Sequence, residues 1–126
     1  MSVHDQIARV NQLLSGRNQT NIHANDDLEK FVNLVRQWHH DRNLIEGASD
    51  KDQFCKLMQE AGELSDNICK GKDISDDIGD MMVVLINIAE RNNLTLKDCL
   101  MKAWDDIKDR KGKMVDGVFI KEADLS

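Results

Sequence analysis

The chain has 126 residues and a mass of 14.4 kDa, enough for one domain that buries a modest core without disulfide staples. Its 23 acidic and 17 basic residues give a formal charge of -6, which excludes a general nucleic-acid binder, because that class needs a positive field for phosphates. Proline is absent and aromatics are only 4%, while leucine, isoleucine, methionine, lysine, aspartate and glutamate dominate, so the expected fold is all-α.

In chain order, a first helix is expected over residues 4 to 14, with Ile7, Val10, Leu13 and Leu14 on one face, and "SGRNQTNIHAN" reads as a polar connection. Asn25 or Asp26 is the expected cap of a second helix that carries Leu28, Phe31, Val32, Leu34, Val35 and Trp38 and runs out near "HHDRN". After the loop "IEGASDKD", Ser49 or Asp50 caps a third helix over about 51 to 70, stopped by Gly71. A fourth helix over about 73 to 92 follows. A fifth over roughly 96 to 111 is capped by Thr95 with Asp98 at its third position, and Gly112 ends it. In the tail, Asp-Gly between "MV" and "VF" is a type I′ hairpin signal.

These elements make a single helical domain over 1–126, divided into an N-terminal helix and connection (1–24), a bundle core of about four main helices (25–111) and a tail (112–126). The opening "MSVHDQIARV" lacks the layout of a signal peptide, and no apolar run approaches the roughly eighteen residues of a membrane span, so a cytoplasmic protein with no membrane partner is expected. Cys55, Cys69 and Cys99 form no C-x-x-C pair and are expected to be small core residues.

The chemistry concentrates in four acids. Glu60 and Glu63 lie about 60° apart on one helix, flanking the Leu57, Ala61, Leu64 and Ile68 face. Asp77, Asp80, Val84 and Asn87 form one stripe of the next helix, whose "IGDMMVVLINIA" is apolar nearly all round, as in a buried or subunit-covered helix. Unpaired buried carboxylates cost several kcal/mol each, and few cations lie nearby, so a divalent ion is the natural partner. Oxygen-only ligands favour Mg²⁺, with Mn²⁺ as a substitute, over zinc. The plainer alternative is that the acids are solvated faces and helix-start charges. A di-iron bundle would need Glu-x-x-His from two helices, and neither pair is followed by histidine.

"EAGELSDNI" followed after a gap by "DIGDMMVVLINIA" resembles the E-x-x-E, then E-x-x-D signature of the MazG-like all-α nucleoside triphosphate pyrophosphohydrolases. "WHHDRNL" is similar to the segment before the first motif in the dCTP pyrophosphatase branch, and "KAWDDIKDRKGKM" to the basic end of the last bundle helix. One departure stands out: Asp77 occupies a position where the family usually has glutamate, so its carboxylate reaches one methylene less far.

The resemblance implies hydrolysis of a nucleoside triphosphate to monophosphate and pyrophosphate, with Mg²⁺ held by Glu60, Glu63, Asp77 and Asp80 and with Glu60 or Glu63 accepting the proton of the attacking water. Trp38 would stack on the base, and His39, His40 or Asn43 would read its edge. Asn87 would bond the base, the sugar or a ligand carboxylate. Lys102, Lys108, Arg110, Lys111 and Lys113 would meet the phosphates. The only partner implied besides substrate is a second copy, in a homodimer or homotetramer. The competing expectation is a catalytically weak interaction or regulatory protein that keeps the bundle.

Overall fold

The computed structural model describes residues 21–125, so the helix expected over 4 to 14 lies outside the described residues. Four helices follow one another: α1 (Asn21–Asp41), α2 (Asp50–Cys69), α3 (Ser75–Arg91) and α4 (Leu96–Ile107). A two-stranded antiparallel hairpin of β1 (Gly112–Val115) and β2 (Val118–Lys121) and a short 3₁₀ turn (Glu122–Asp124) complete the chain. The all-α class with a terminal hairpin is as expected. Among the described residues, no helix is long and apolar enough to cross a membrane.

Local chemistry sets the boundaries. Ser49 caps α2, its Oγ accepting from the Asp52 amide at 3.1 Å, and Thr95 caps α4 in the same way, accepting from Asp98 at 3.0 Å. The first three helices all end in Schellman turns, with a residue in the left-handed region after the cap: Asn43 (φ 56°), Gly71 (φ 68°) and Asn93 (φ 57°). In each, the next amide reaches back to the last turn, as Leu44 does to the His39 carbonyl at 2.9 Å and Lys72 to that of Asn67 at 3.0 Å. Asparagine serves at two of the three because its short polar side chain tolerates αL better than most.

Two boundaries differ from the sequence reading. Helix α1 begins at Asn21, so Asn25 and Asp26 lie within it rather than capping it. Helix α4 stops at Ile107 instead of running to 111, because the chain must leave the helix to enter the hairpin ladder, where the Glu122 amide donates to the Lys111 carbonyl at 2.7 Å. Gly112 therefore opens a strand rather than ending a helix. A Cβ there would lie 2.1 Å from the Ile120 carbonyl oxygen, so the close strand crossing excludes a larger residue. The hairpin turn is as expected, with Asp116 (φ 51°) and Gly117 (φ 81°) both in the left-handed region and Val115 paired to Val118.

Helices α2 and α3 pack antiparallel. Asp50 at the start of α2 holds Arg91 at the end of α3 (2.9 Å), while Asn67 near the end of α2 meets Asp77 near the start of α3 (2.9 Å). Helix α1 lies against α3 through Arg36, which grips Glu90 with Nε and Nη2. The core is Ile45, Leu57, Val84, Ile86 and Ala89, together with the buried polar residues His39, Glu60, Asp77 and Asn87.

One expectation about burial needs correction. All three cysteines are exposed, not core: Cys55 lies on the outer side of α2 beside exposed Phe54, Cys69 on its last turn, and Cys99 on α4, which buries no residue. Helix α3, apolar nearly all round, is covered on one side only, and Ile78, Met82 and Leu85 remain exposed. On α4 the apolar stripe of Leu100, Met101, Trp104 and Ile107 is likewise exposed.

Candidate metal centre

The antiparallel register of α2 and α3 brings Glu60 and Glu63 opposite Asp80, and one carboxylate oxygen of each lies within 4.8 Å of the others. The three differ in setting. Glu60 is only 7% exposed, Asp80 is half-buried and Glu63 faces solvent. Glu60 Oε1 pairs with Lys56 Nζ at 3.1 Å, one turn back along α2, whereas its buried Oε2 has no partner. An orphaned buried carboxylate oxygen is costly unless a cation completes it, and the surrounding donors are all oxygens, so the residues fit a hard divalent ion.

The electrostatics agree. The neighbouring negative charge of Glu60 raises the Glu63 carboxyl above the usual carboxylate range. Asp80 is also raised, first by burial and then by Asp76, Glu60 and Asp77. Three carboxylates converge with a single lysine at hand, and the cluster holds more negative charge than its own side chains compensate.

Asp77, the short member of the second pair, stands apart from this trio. It is buried, and its Oδ2 accepts from the Asn67 amide at 2.9 Å. Asp73 lies just before Ile74, the N-cap position of α3, and makes an Asx-type turn: its Oδ1 accepts from the Ser75 amide at 3.0 Å and from the Ser75 hydroxyl at 2.7 Å, and these bonds lower its carboxyl.

The residues expected to bind substrate are not gathered around the acids. Asn87 shares the inward stripe but sits about 10 Å further along α3. It is fully buried, its Nδ2 donating to the Leu44 carbonyl at 2.9 Å and to His39 Nδ1 at 3.2 Å. His39 Nε2 faces the Val83 carbonyl oxygen at 2.9 Å. A carbonyl can only accept, so Nε2 carries the proton and Nδ1 receives the Asn87 amide, which makes His39 neutral. Burial accordingly lowers its pKa. His39 and Asn87 thus bolt α1 and its following loop to α3 through the Asn87 Nδ2, while the buried Asn87 Oδ1 has no hydrogen-bond partner among the described residues.

Asn43 is the left-handed residue of the α1 Schellman turn, and a Cβ on Gly47 would overlap its side chain, so its place is set by the turn. His40 Nε2 lies 3.4 Å from Glu90, beside the Arg36 pair. Trp38 is part-exposed, stacked under the Arg42 guanidinium at 4.4 Å and edge-on to His39. Lys102, Lys108, Arg110 and Lys111 are all exposed around the end of α4. Lys108 pairs with Asp105 (3.2 Å) and Arg110 with Asp106 (3.0 Å). Asn67 went unnoticed in the sequence, although its place four residues beyond Glu63 and seven beyond Glu60, on the same strip, is a readable signal.

Over 70 residues, 54% of this chain, the sequence is 41% identical to a protein of Haemophilus phage HP1 described as an uncharacterized 18.2 kDa protein in the rep-hol intergenic region. The alignment spans 43% of that protein's length, and its description assigns no activity. No family model matches the chain, and no solved structure matches it.

Proposed function

We propose that the chain is a Mg²⁺-dependent nucleoside triphosphate pyrophosphohydrolase of the MazG-like class that its paired acids resemble, one that converts (d)NTP to (d)NMP and pyrophosphate in trimming the nucleotide pool. The observation that carries this reading is the convergence of Glu60, Glu63 and Asp80 around the unpartnered buried oxygen of Glu60. Mg²⁺, or Mn²⁺ in its place, would be held by these three with Asp77 close by, and would supply charge neutralisation for the triphosphate and a more acidic bound water.

The chain's own groups supply the remainder. Glu63 is the proton acceptor, since it faces solvent while Glu60 is buried and tied to Lys56. Water adds its oxygen to the α-phosphorus, its proton passes to Glu63, and the bond from that phosphorus to the α–β bridging oxygen breaks to release pyrophosphate. Lys56 is placed to meet a phosphate oxygen at the edge of the cluster, while Lys102 and Lys111 are exposed cations on and after α4, apart from the acids. Trp38, an exposed aromatic side chain, is the candidate for stacking on a base.

The test is pyrophosphate release from a panel of dNTPs with Mg²⁺, and release from at least one nucleotide is expected. A folded protein that releases none would sink the enzyme reading and leave the interaction protein, a reading favoured by the displacement of Asp77 and the bare apolar stripe of α4. That stripe, with exposed Ile78, Met82 and Leu85 on α3, also supports a homodimer or homotetramer, because a helix with an apolar face and no buried residue is not stabilised by its own chain. Sedimentation at micromolar concentration should give a multiple of 14.4 kDa, and a monomer mass would remove the oligomer.

A further inference from the structure

Asn67 and Asp77 form the only contact in which a neutral side chain touches one of the four signature acids among the described residues. Asp77 is 7% exposed, and among the described residues no cation pairs with it. A buried carboxylate oxygen needs a donor. The Asn67 amide supplies one at 2.9 Å, reaching from the end of α2 to the first turn of α3.

The geometry ties this pair to the trio. Asn67 continues the Glu60 and Glu63 strip of α2 by one turn, and Asp77 precedes Asp80 by nearly one turn on α3, so in the antiparallel register the bond lies about 5 Å along the helices from the three converging oxygens. The identity of the partner matters. A lysine at 67 would cancel the charge of Asp77, whereas an amide orients the carboxylate through one oxygen, leaves the other oxygen's lone pairs unspent and leaves the charge in place.

We propose that Asn67 is a positioning residue of the divalent-cation site, holding the short Asp77 carboxylate in a fixed orientation one turn from Glu60, Glu63 and Asp80. It compensates for the methylene that aspartate lacks by fixing the carboxylate from behind. This assignment rests on the reading of the acidic cluster as a divalent site. A partner of this kind does not touch the ion, yet its loss lowers affinity by roughly 10- to 100-fold where such pairs support metal ligands.

The probe is Mn²⁺ alone, titrated into the full chain by calorimetry or by loss of the free-ion electron paramagnetic resonance signal. Four proteins complete a double-mutant cycle: wild type, Asn67→Ala, Asp77→Asn and the double variant. Asn67 is part-exposed on a helix and alanine is the best helix former, so Asn67→Ala should fold, which circular dichroism checks. Asn67→Ala is expected to weaken Mn²⁺ binding by about 10-fold or more. In the Asp77→Asn background the same substitution should change it less than about 2-fold, because Asn67 acts through Asp77. Asn67→Gln, which keeps the amide, should recover part of the affinity.

A wild-type chain with no saturable Mn²⁺ binding overturns the divalent-site reading itself. Saturable wild-type binding with an unchanged affinity in Asn67→Ala, or an equal loss in both backgrounds, overturns only the role given to Asn67.

Discussion

Glu63→Gln should lower pyrophosphate release by about 100- to 10,000-fold, the usual contribution of a positioned proton acceptor, while the helical circular dichroism spectrum stays that of the wild type. The same variant should melt at a higher temperature than the wild type in the absence of divalent ions. The reason is the crowding of like charges: Glu60 raises the Glu63 carboxyl, so its ionised form is disfavoured in the folded chain relative to the unfolded one. For a carboxyl raised on folding, the repulsion is fully developed above the raised value. It is relieved as pH falls through that value toward the ordinary one of 4.5, below which both states are protonated. The stabilisation of Glu63→Gln over wild type should therefore be present at neutral pH and vanish near pH 4. Mn²⁺ should raise the melting temperature of the wild type and do less for the variant. Full turnover in Glu63→Gln would remove this residue from the site. An unchanged metal-free melting temperature would contradict the electrostatic account of the cluster.

Asn87→Ala should cost about 3 kcal/mol of stability, read from thermal or urea melts. The substitution deletes two donor bonds, leaves the Leu44 carbonyl and His39 Nδ1 buried without a partner, and opens a small cavity at a fully buried position. The same bolt predicts a pH response. His39 is held neutral, with its pKa lowered first by burial; the backbone carbonyl of Val83 and the nearby Glu90 oppose that shift, and His40 adds to it. For a histidine lowered on folding, the unfolded chain takes up the proton first, so the contribution is fully present above the ordinary value of 6.5 and is lost as pH falls from there toward the lowered value. Wild-type stability should accordingly drop between neutral pH and pH 5 by more than that of His39→Gln. Equal slopes for the two proteins would show that His39 does not titrate as its surroundings require.

Much of the frame is legible in the sequence because it depends on neighbours along the chain. Caps at Ser49 and Thr95, the stop at Gly71 and the Asp116-Gly117 turn are decided by residues within four positions of one another, and the structure has each of them in place. The pairing of Glu60 and Glu63 is equally local, since three residues of helix put them on one strip. The reading failed where distant contacts decide. Helix α4 ends early because a hairpin strand captures residue 111, and the cysteines are exposed because they lie on helix faces turned away from the packed core of the described residues.

The sequence by itself determined four helices and a hairpin, their order, and the presence of two acid pairs on consecutive helices, for helical periodicity, capping and turn chemistry act over a few residues. Only the tertiary structure decided which acids meet. The antiparallel register of α2 and α3 sets Asp80 against Glu60 and Glu63, and gives Asp77 to Asn67. It also made Asn87 and His39 a buried bolt through the Asn87 Nδ2, since a donor removed from water takes the acceptors that packing brings within reach.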